Sequence, residues 1–167
     1  MLMKRLLIVR HAKSSWDFPH LSDFERPLNN RGKRDVPDMA RRFWETAIEP
    51  QQLISSPATR ALTTAHGFAD QLGIKQENVI EDERYYHASS RELQSLIHQV
   101  NDDLDCIMIF GHNPGLTDLI NDLSGFELDN LPTCAICGID FPVDSWSKAS
   151  PRTGKKFYYD FPKSKKK

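Results

Sequence analysis

An α/β domain is predicted here, a three-layer sandwich with a mostly parallel central sheet and helices on both faces, and three observations predict it. Short apolar runs alternate along the chain with stretches of helical period. One run, CIMIF at 106–110, is apolar throughout, as a strand buried on both faces must be. The chain has 167 residues, 39% of them hydrophobic, enough for one domain with a sizeable core. The domain is expected over 1–162, followed by a basic, disordered tail at 163–167.

Taken in order, Arg5 to Val9 reads as the first strand. Asp35 is expected to cap a helix starting at Val36, with Pro37 tolerated in its first turn. Val36, Met39, Ala40, Phe43 and Ala47 keep the helical period. Gln52 to Ser55 is a short second strand. Ser56 then suits an N-cap, with Pro57 at the first helical position. Ala58, Ala61, Leu62, Ala65, Ala69 and Leu72 form one apolar face. A minor strand is expected at Asn78 to Ile80, and Leu93, Leu96, Ile97 and Val100 mark a further helix. After CIMIF, Asn113 caps and Pro114 starts a helix whose Leu116, Leu119, Ile120 and Leu123 face the core. Cys134 to Phe161 reads as two strands with a polar turn near Pro151 to Gly154.

Composition excludes several classes of function. Four of the 22 basic residues are lysines in the last five positions, and the rest of the chain carries 23 acidic residues against 18 basic ones. An acidic body is a poor nucleic-acid groove. No apolar run approaches membrane-spanning length. Met1 to Val9 is too short for a signal-peptide core, so a cytoplasmic protein is expected. The three cysteines fit a reducing compartment. Cys134 and Cys137 form a C-x-x-C in TCAICGIDF, a stretch that reads as a strand. Positions three apart on a strand point to opposite faces, so the pair is read as structural and not as a metal or redox site.

In parallel sheets, ligands bind outside the carboxyl ends of the strands. Three segments lie there. Arg10 and His11 follow the first strand. SSPATR (55–60) follows the second and opens a helix with Arg60 in its first turn. GHNPG (111–115) follows CIMIF and opens another, bringing His112. Two arginines, two histidines and two helix starts would converge on one crevice. The natural guest is a phosphate dianion, which suits the planar fork of arginine and the free N–H groups of helix starts.

These segments carry a resemblance. Through LLIVRHAKSSW (6–16), RPLNNRG (26–32), SSPATRALTTA (55–65) and FGHNPG (110–115), the chain resembles the histidine phosphatase superfamily, also called phosphoglycerate-mutase-like. Within it, the short SixA-type phosphohistidine phosphatases look most similar. The resemblance implies that His11 attacks phosphorus and becomes a phosphohistidine. It implies that Arg10 and Arg60 hold the phosphoryl oxygens and that His112 contacts the transferring group. No metal and no cofactor are implied. Ala12 stands where the commoner superfamily form has glycine, so that position is not expected to need a positive φ.

A proton donor is the least legible part. Glu83, in EDERYYHAS (81–89), is the best match for the glutamate of larger relatives. Glu81 and Asp82 are alternatives, and a solvated acidic loop is the competing reading. Arg26 and Ser14 are candidate substrate contacts, with Ser15 beside them. His20, His66 and His98 read as ordinary histidines. His87, following the acidic loop, could sit near the site. A hydrogen bond from one ring nitrogen of His11 to a backbone carbonyl would leave the other free to attack.

The expected function is therefore a metal-independent phosphatase, acting on phosphohistidine in a signalling protein such as a phosphotransfer domain, and releasing inorganic phosphate. The imidazole leaving group needs less help from an acid than an alkoxide does. The short chain leaves little room for insertions that would roof the site. The alternatives are a phosphatase for small phosphoesters or sugar phosphates, and a non-catalytic phosphoprotein-binding module. Neither nucleic acid nor membrane is expected as a partner, and a monomer is expected.

Overall fold

The computed structural model describes residues 2–164. Six strands form one sheet: β1 (Lys4–Arg10), β2 (Gln52–Ser55), β3 (Ile80–Glu81), β4 (Cys106–Gly111), β5 (Ile136–Phe141) and β6 (Lys155–Asp160). Their order across the sheet is β3-β2-β4-β1-β5-β6. The first four are mutually parallel, and β5 and β6 add on antiparallel. Four α-helices, α1 (Asn30–Trp44), α2 (Thr59–Leu72), α3 (Ser90–His98) and α4 (Gly115–Ser124), complete the layers.

Alternation along the central strands builds two cores. Leu6 and Ile8 of β1, with Ile107 and Ile109 of β4, pack under α3 and α4. Leu7 and Val9, with Met108 and Phe110, pack under α1 and α2. Strands covered on both faces have no polar side, which is why CIMIF reads as one apolar run. Cys137 joins the first core and Cys134 the second. The C-x-x-C pair thus sits in opposite layers, and all three cysteines are free.

Several element boundaries differ from expectation. The first helix starts at Asn30, not Val36, because Asn29 caps it: its side chain accepts from Gly32 N at 2.8 Å. Asp35 lies inside that helix and pairs with Arg31 at 3.4 Å. Pro37 is interior, past the first turn. The second helix starts at Thr59, not Pro57. Ser56 stays outside it, its Oγ accepting from Ala58 N at 3.2 Å. The fourth starts at Gly115, after Pro114, and Asn113 Oδ1 accepts from Thr117 N at 3.2 Å. The minor strand is Ile80–Glu81 at the sheet edge. Cys134 precedes β5, and the buried Trp146 sits in an unanticipated 3-10 turn, Trp146–Lys148.

Of the expected tail, Lys163 falls in a 3-10 turn, Pro162–Ser164. Arg42 donates to the Phe161 and Pro162 carbonyls just before and within it, at 3.1 and 3.0 Å. Residues 165–167 lie outside the described residues. Among the described residues no helix is long and apolar enough to cross a membrane.

Candidate active site

Register decides what meets at the sheet's carboxyl edge. β1 and β4 run in step, with Arg10 opposite Gly111, so His11 and His112 leave their strands side by side. His11 N donates to Gly111 O at 3.1 Å, and the two imidazole centroids are 5.3 Å apart. β2 ends with Ser55 opposite Phe110, which sets Ser56 beside them. Thr64 ties helix to loop: its Oγ1 accepts from Ala12 N at 3.0 Å and donates to Arg60 O at 2.8 Å.

A crevice of about 350 Å³ results, lined by Arg10, His11, Ser14, Arg26, Arg60, His87 and His112, with Lys13, Trp16, Asn113 and Thr133 at its edges. Six of the expected site residues therefore converge: Arg10, His11, Arg60, His112, Arg26 and Ser14. Glu83 does not. Asp82 caps a 3-10 turn, Glu83–Tyr85, by accepting from Arg84 N at 3.0 Å. That turn buries Tyr85 and leaves Glu83 exposed, outside the crevice. Glu81 is exposed as well, and Asp82 is paired with Arg84 at 2.7 Å. From this loop it is His87 that lines the crevice.

Each group has a defined set of partners. His11 Nδ1 lies 2.7 Å from Ala12 O. A carbonyl can only accept, so Nδ1 carries the proton and Nε2 keeps its lone pair. Burial pulls the His11 pKa from 6.5 to about 3; Arg60, Arg10 and Arg26 add to this, and the Ala12 bond opposes it. His112 Nε2 lies 2.8 Å from Ser56 Oγ. Burial, with His11, Arg60 and His87 nearby, pushes His112 down to about 2. Both rings are therefore neutral at pH 7. Burial, then Arg60, also lowers the pKa of Arg10, which donates to Leu131 O at 3.0 Å. Ala12 is not among the residues with positive φ, in line with its side chain.

Arg26 is buried, donating to Ser14 Oγ at 2.7 Å and Ser15 O at 3.2 Å, with Trp16 stacked on its guanidinium at 3.7 Å. The RPLNNRG segment reaches the site because Asn29 N donates to Lys13 O at 3.0 Å and Ser14 bridges to Leu28. A Cβ on Gly32 would strike the Lys13 carbonyl, so the close approach requires glycine there.

Three residues of the site escape sequence reasoning: Asp23, Ser56 and Thr64. Asp23 is the carboxylate of this crevice's rim. Its Oδ2 accepts from Arg60 Nη2 at 3.0 Å and Tyr86 Oη at 2.7 Å, and lies 3.2 Å from His87 Nε2. Arg26 reaches Oδ1 at 3.3 Å. Partial burial favours its neutral form, but the bonds from Tyr86 and Arg60 outweigh it and hold Asp23 well below the usual carboxylate range. The one sequence signal for Asp23 is its i,i+3 spacing to Arg26. Ser56 reads as a cap, and Thr64 as one residue of a helix.

Among the described residues, four buried side-chain polar atoms make no hydrogen bond, and three belong here: Arg10 Nε, Arg60 Nε and His112 Nδ1. The two arginine N–H groups need an acceptor. Together with a free imidazole lone pair, they suit a tetrahedral oxyanion held for in-line attack.

Known proteins bear on this geometry. The Agrobacterium tumefaciens protein assigned as the phosphohistidine phosphatase SixA superposes with a TM-score of 0.80 at 23% identity, covering 95% of this chain and 98% of that one. The protein histidine phosphatase SixA in complex with tungstate gives 0.76 at 21%, over 95% and 97%. A mycobacterial glucosyl-3-phosphoglycerate phosphatase gives 0.67 at 12%, over 92% and 97%. These likenesses are of fold. In sequence, an uncharacterised chloroplastic protein of Arabidopsis thaliana is 31% identical over 92% of this chain and 73% of its own length. The stretch 6–85, which holds Arg10, His11, Arg26 and Arg60, matches the histidine phosphatase superfamily, branch 1, and it is to this superfamily that the chain belongs.

Proposed function

We propose that this protein is a phosphatase that works through a phosphohistidine on His11 and removes phosphate from phosphohistidine in a signalling protein, such as a phosphotransfer domain. The observation that carries the reading is the state of His11: neutral, its Nδ1 proton engaged by the Ala12 carbonyl, its Nε2 free beside two arginines. Attack of Nε2 on phosphorus forms the N–P bond as the bond to the leaving group breaks. Water then cleaves the N–P bond and inorganic phosphate departs. Dividing the transfer into two steps eases each of them. Arg10 and Arg60 supply charge to the equatorial oxygens, and His112 lines the same crevice. Removing one such donor is expected to cost on the order of 10²–10³ in rate.

A protein substrate is favoured by the rim. Trp16 is 76% exposed at the crevice edge, and Phe18 and Phe24 on the same segment are exposed too. Exposed aromatic side chains on the segment that borders a polar crevice suit contact with another protein surface better than capture of a free sugar phosphate.

Phosphate release from a phosphohistidine-carrying phosphotransfer protein, with EDTA present, tests the proposal in wild type and His11→Ala. Wild type is expected to release phosphate, and His11→Ala to fall to background. Equal release from both would remove His11 from the mechanism. Binding without release would favour a phosphoprotein-binding module, and turnover of small phosphoesters alone would favour a small-molecule phosphatase.

A further inference from the structure

We propose that His87 is the proton donor to the leaving group, oriented by Asp23 and Tyr86; the assignment rests on the phosphatase reading above. His87 lines the crevice, its ring centroid 5.5 Å from that of His112. Its position is built. Tyr85 and Ala88 are buried on either side of the Tyr86–His87 pair and anchor it. Tyr86 stacks on the imidazole at 4.0 Å between centroids. Asp23 Oδ2 faces Nε2 at 3.2 Å. His87 also has φ of 55°, a conformation uncommon outside glycine, and lines the crevice from that position.

The other titratable groups inside the crevice are committed elsewhere, and Lys13 is an exposed residue at its edge. Asp23 is held ionised by Tyr86 and Arg60 and has no proton to give. Tyr86 already gives its own proton to Asp23 in a hydrogen bond. His112 is neutral and His11 is the nucleophile. Arg10, Arg26 and Arg60 do not release protons in proteins. Imidazole is the side chain most often used as a general acid. With Nε2–H on Asp23, the Nδ1–H of a His87 imidazolium is free for the leaving atom.

His11 Nε2 attacks phosphorus, the bond from phosphorus to the leaving oxygen or nitrogen breaks, and that atom keeps the electron pair and takes the His87 proton. In the second half, water attacks the phosphohistidine and gives its proton to the now neutral His87. The N–P bond breaks with its pair returning to His11, and phosphate leaves.

The test compares phenyl phosphate, a poor leaving group, with 2,4-dinitrophenyl phosphate, a good one, in wild type, His87→Gly and His87→Gln. Glycine accepts the positive φ without strain. Both variants are expected to lose kcat/KM on phenyl phosphate by on the order of 10² more than on the dinitrophenyl ester. Equal losses on the two esters would overturn the assignment. Recovery of phenyl phosphate turnover in His87→Gln would overturn it too, because an amide can position a leaving group but cannot protonate it. If the wild type released phosphate from the phosphohistidine protein but hydrolysed neither ester, this assignment would fall and the phosphatase reading would stand; release from neither the protein nor the esters would remove both. Selective failure of the His87 prediction in an active wild type leaves that reading standing.

Discussion

His11 and His112 are ordinary side chains made unusual by where they sit. Burial drives their pKa values down to about 3 and about 2, so the folded protein refuses protons that an unfolded chain accepts near 6.5. The sign follows from linkage: above pH 6.5 neither state binds these protons and there is no pH-dependent contribution. As pH falls from 6.5 toward 3, the unfolded state gains protons and the fold loses stability. His11→Gln is expected to flatten that acid slope by about one proton in denaturant titrations across this window. In NMR titrations, the His11 and His112 ring resonances are expected to stay constant between roughly pH 5 and 8, where ordinary histidines move. A His11 midpoint near neutrality would contradict a neutral, buried nucleophile. The tautomer argument was legible in the sequence, since any nucleophilic imidazole needs its second nitrogen engaged. Asp23 was not legible, because three of its partners come from residues 60, 86 and 87, and nothing local to DFE announces them.

Among the elements, the errors share one cause. A cap is assigned by sequence from residue type, but the residue that caps is the one whose backbone turns at the right place. Asn29 caps α1 because RPLNNRG is already pinned to the Lys13–Ser14 backbone. Asp35, equally good by type, falls mid-helix. Glu83 fails for a similar reason, being carried outward by a turn whose register is set by the burial of Tyr85. The start of α4 makes a stringent test. A Cβ on Gly115 would run into the Ala88 carbonyl, the neighbour of His87. Gly115→Ala is therefore expected to destabilise the protein by about 1–3 kcal/mol and to lower kcat through displacement of the His87 loop. Thermal melts and kinetics on one preparation check both. An unchanged kcat with a lowered Tm would confine the contact to packing.

On the scale of the molecule, the two cores share β1 and β4, so neither layer can leave without unpairing the strands that build the other. One cooperative transition is expected. Trp146 is the buried tryptophan, in the α3–α4 core, while Trp16 and Trp44 are exposed. The Trp146 emission shift should therefore coincide in denaturant with the loss of far-UV circular dichroism. A separated fluorescence transition would mean that the layers unfold independently. The fold class, the strand and helix order, and the placing of Arg10, His11, Arg60 and His112 at strand and helix ends are written in the sequence, because burial periodicity and strand-end motifs are local. Cys134 and Cys137 do lie in different layers as read, but Cys134 precedes β5, so strand alternation is not what separates them. That β1 and β4 end in step, that Asp23 answers Arg60, and that His87 and not Glu83 lines the crevice emerge only in the folded chain. Those facts depend on register and on contacts between segments dozens of residues apart, which no local pattern encodes.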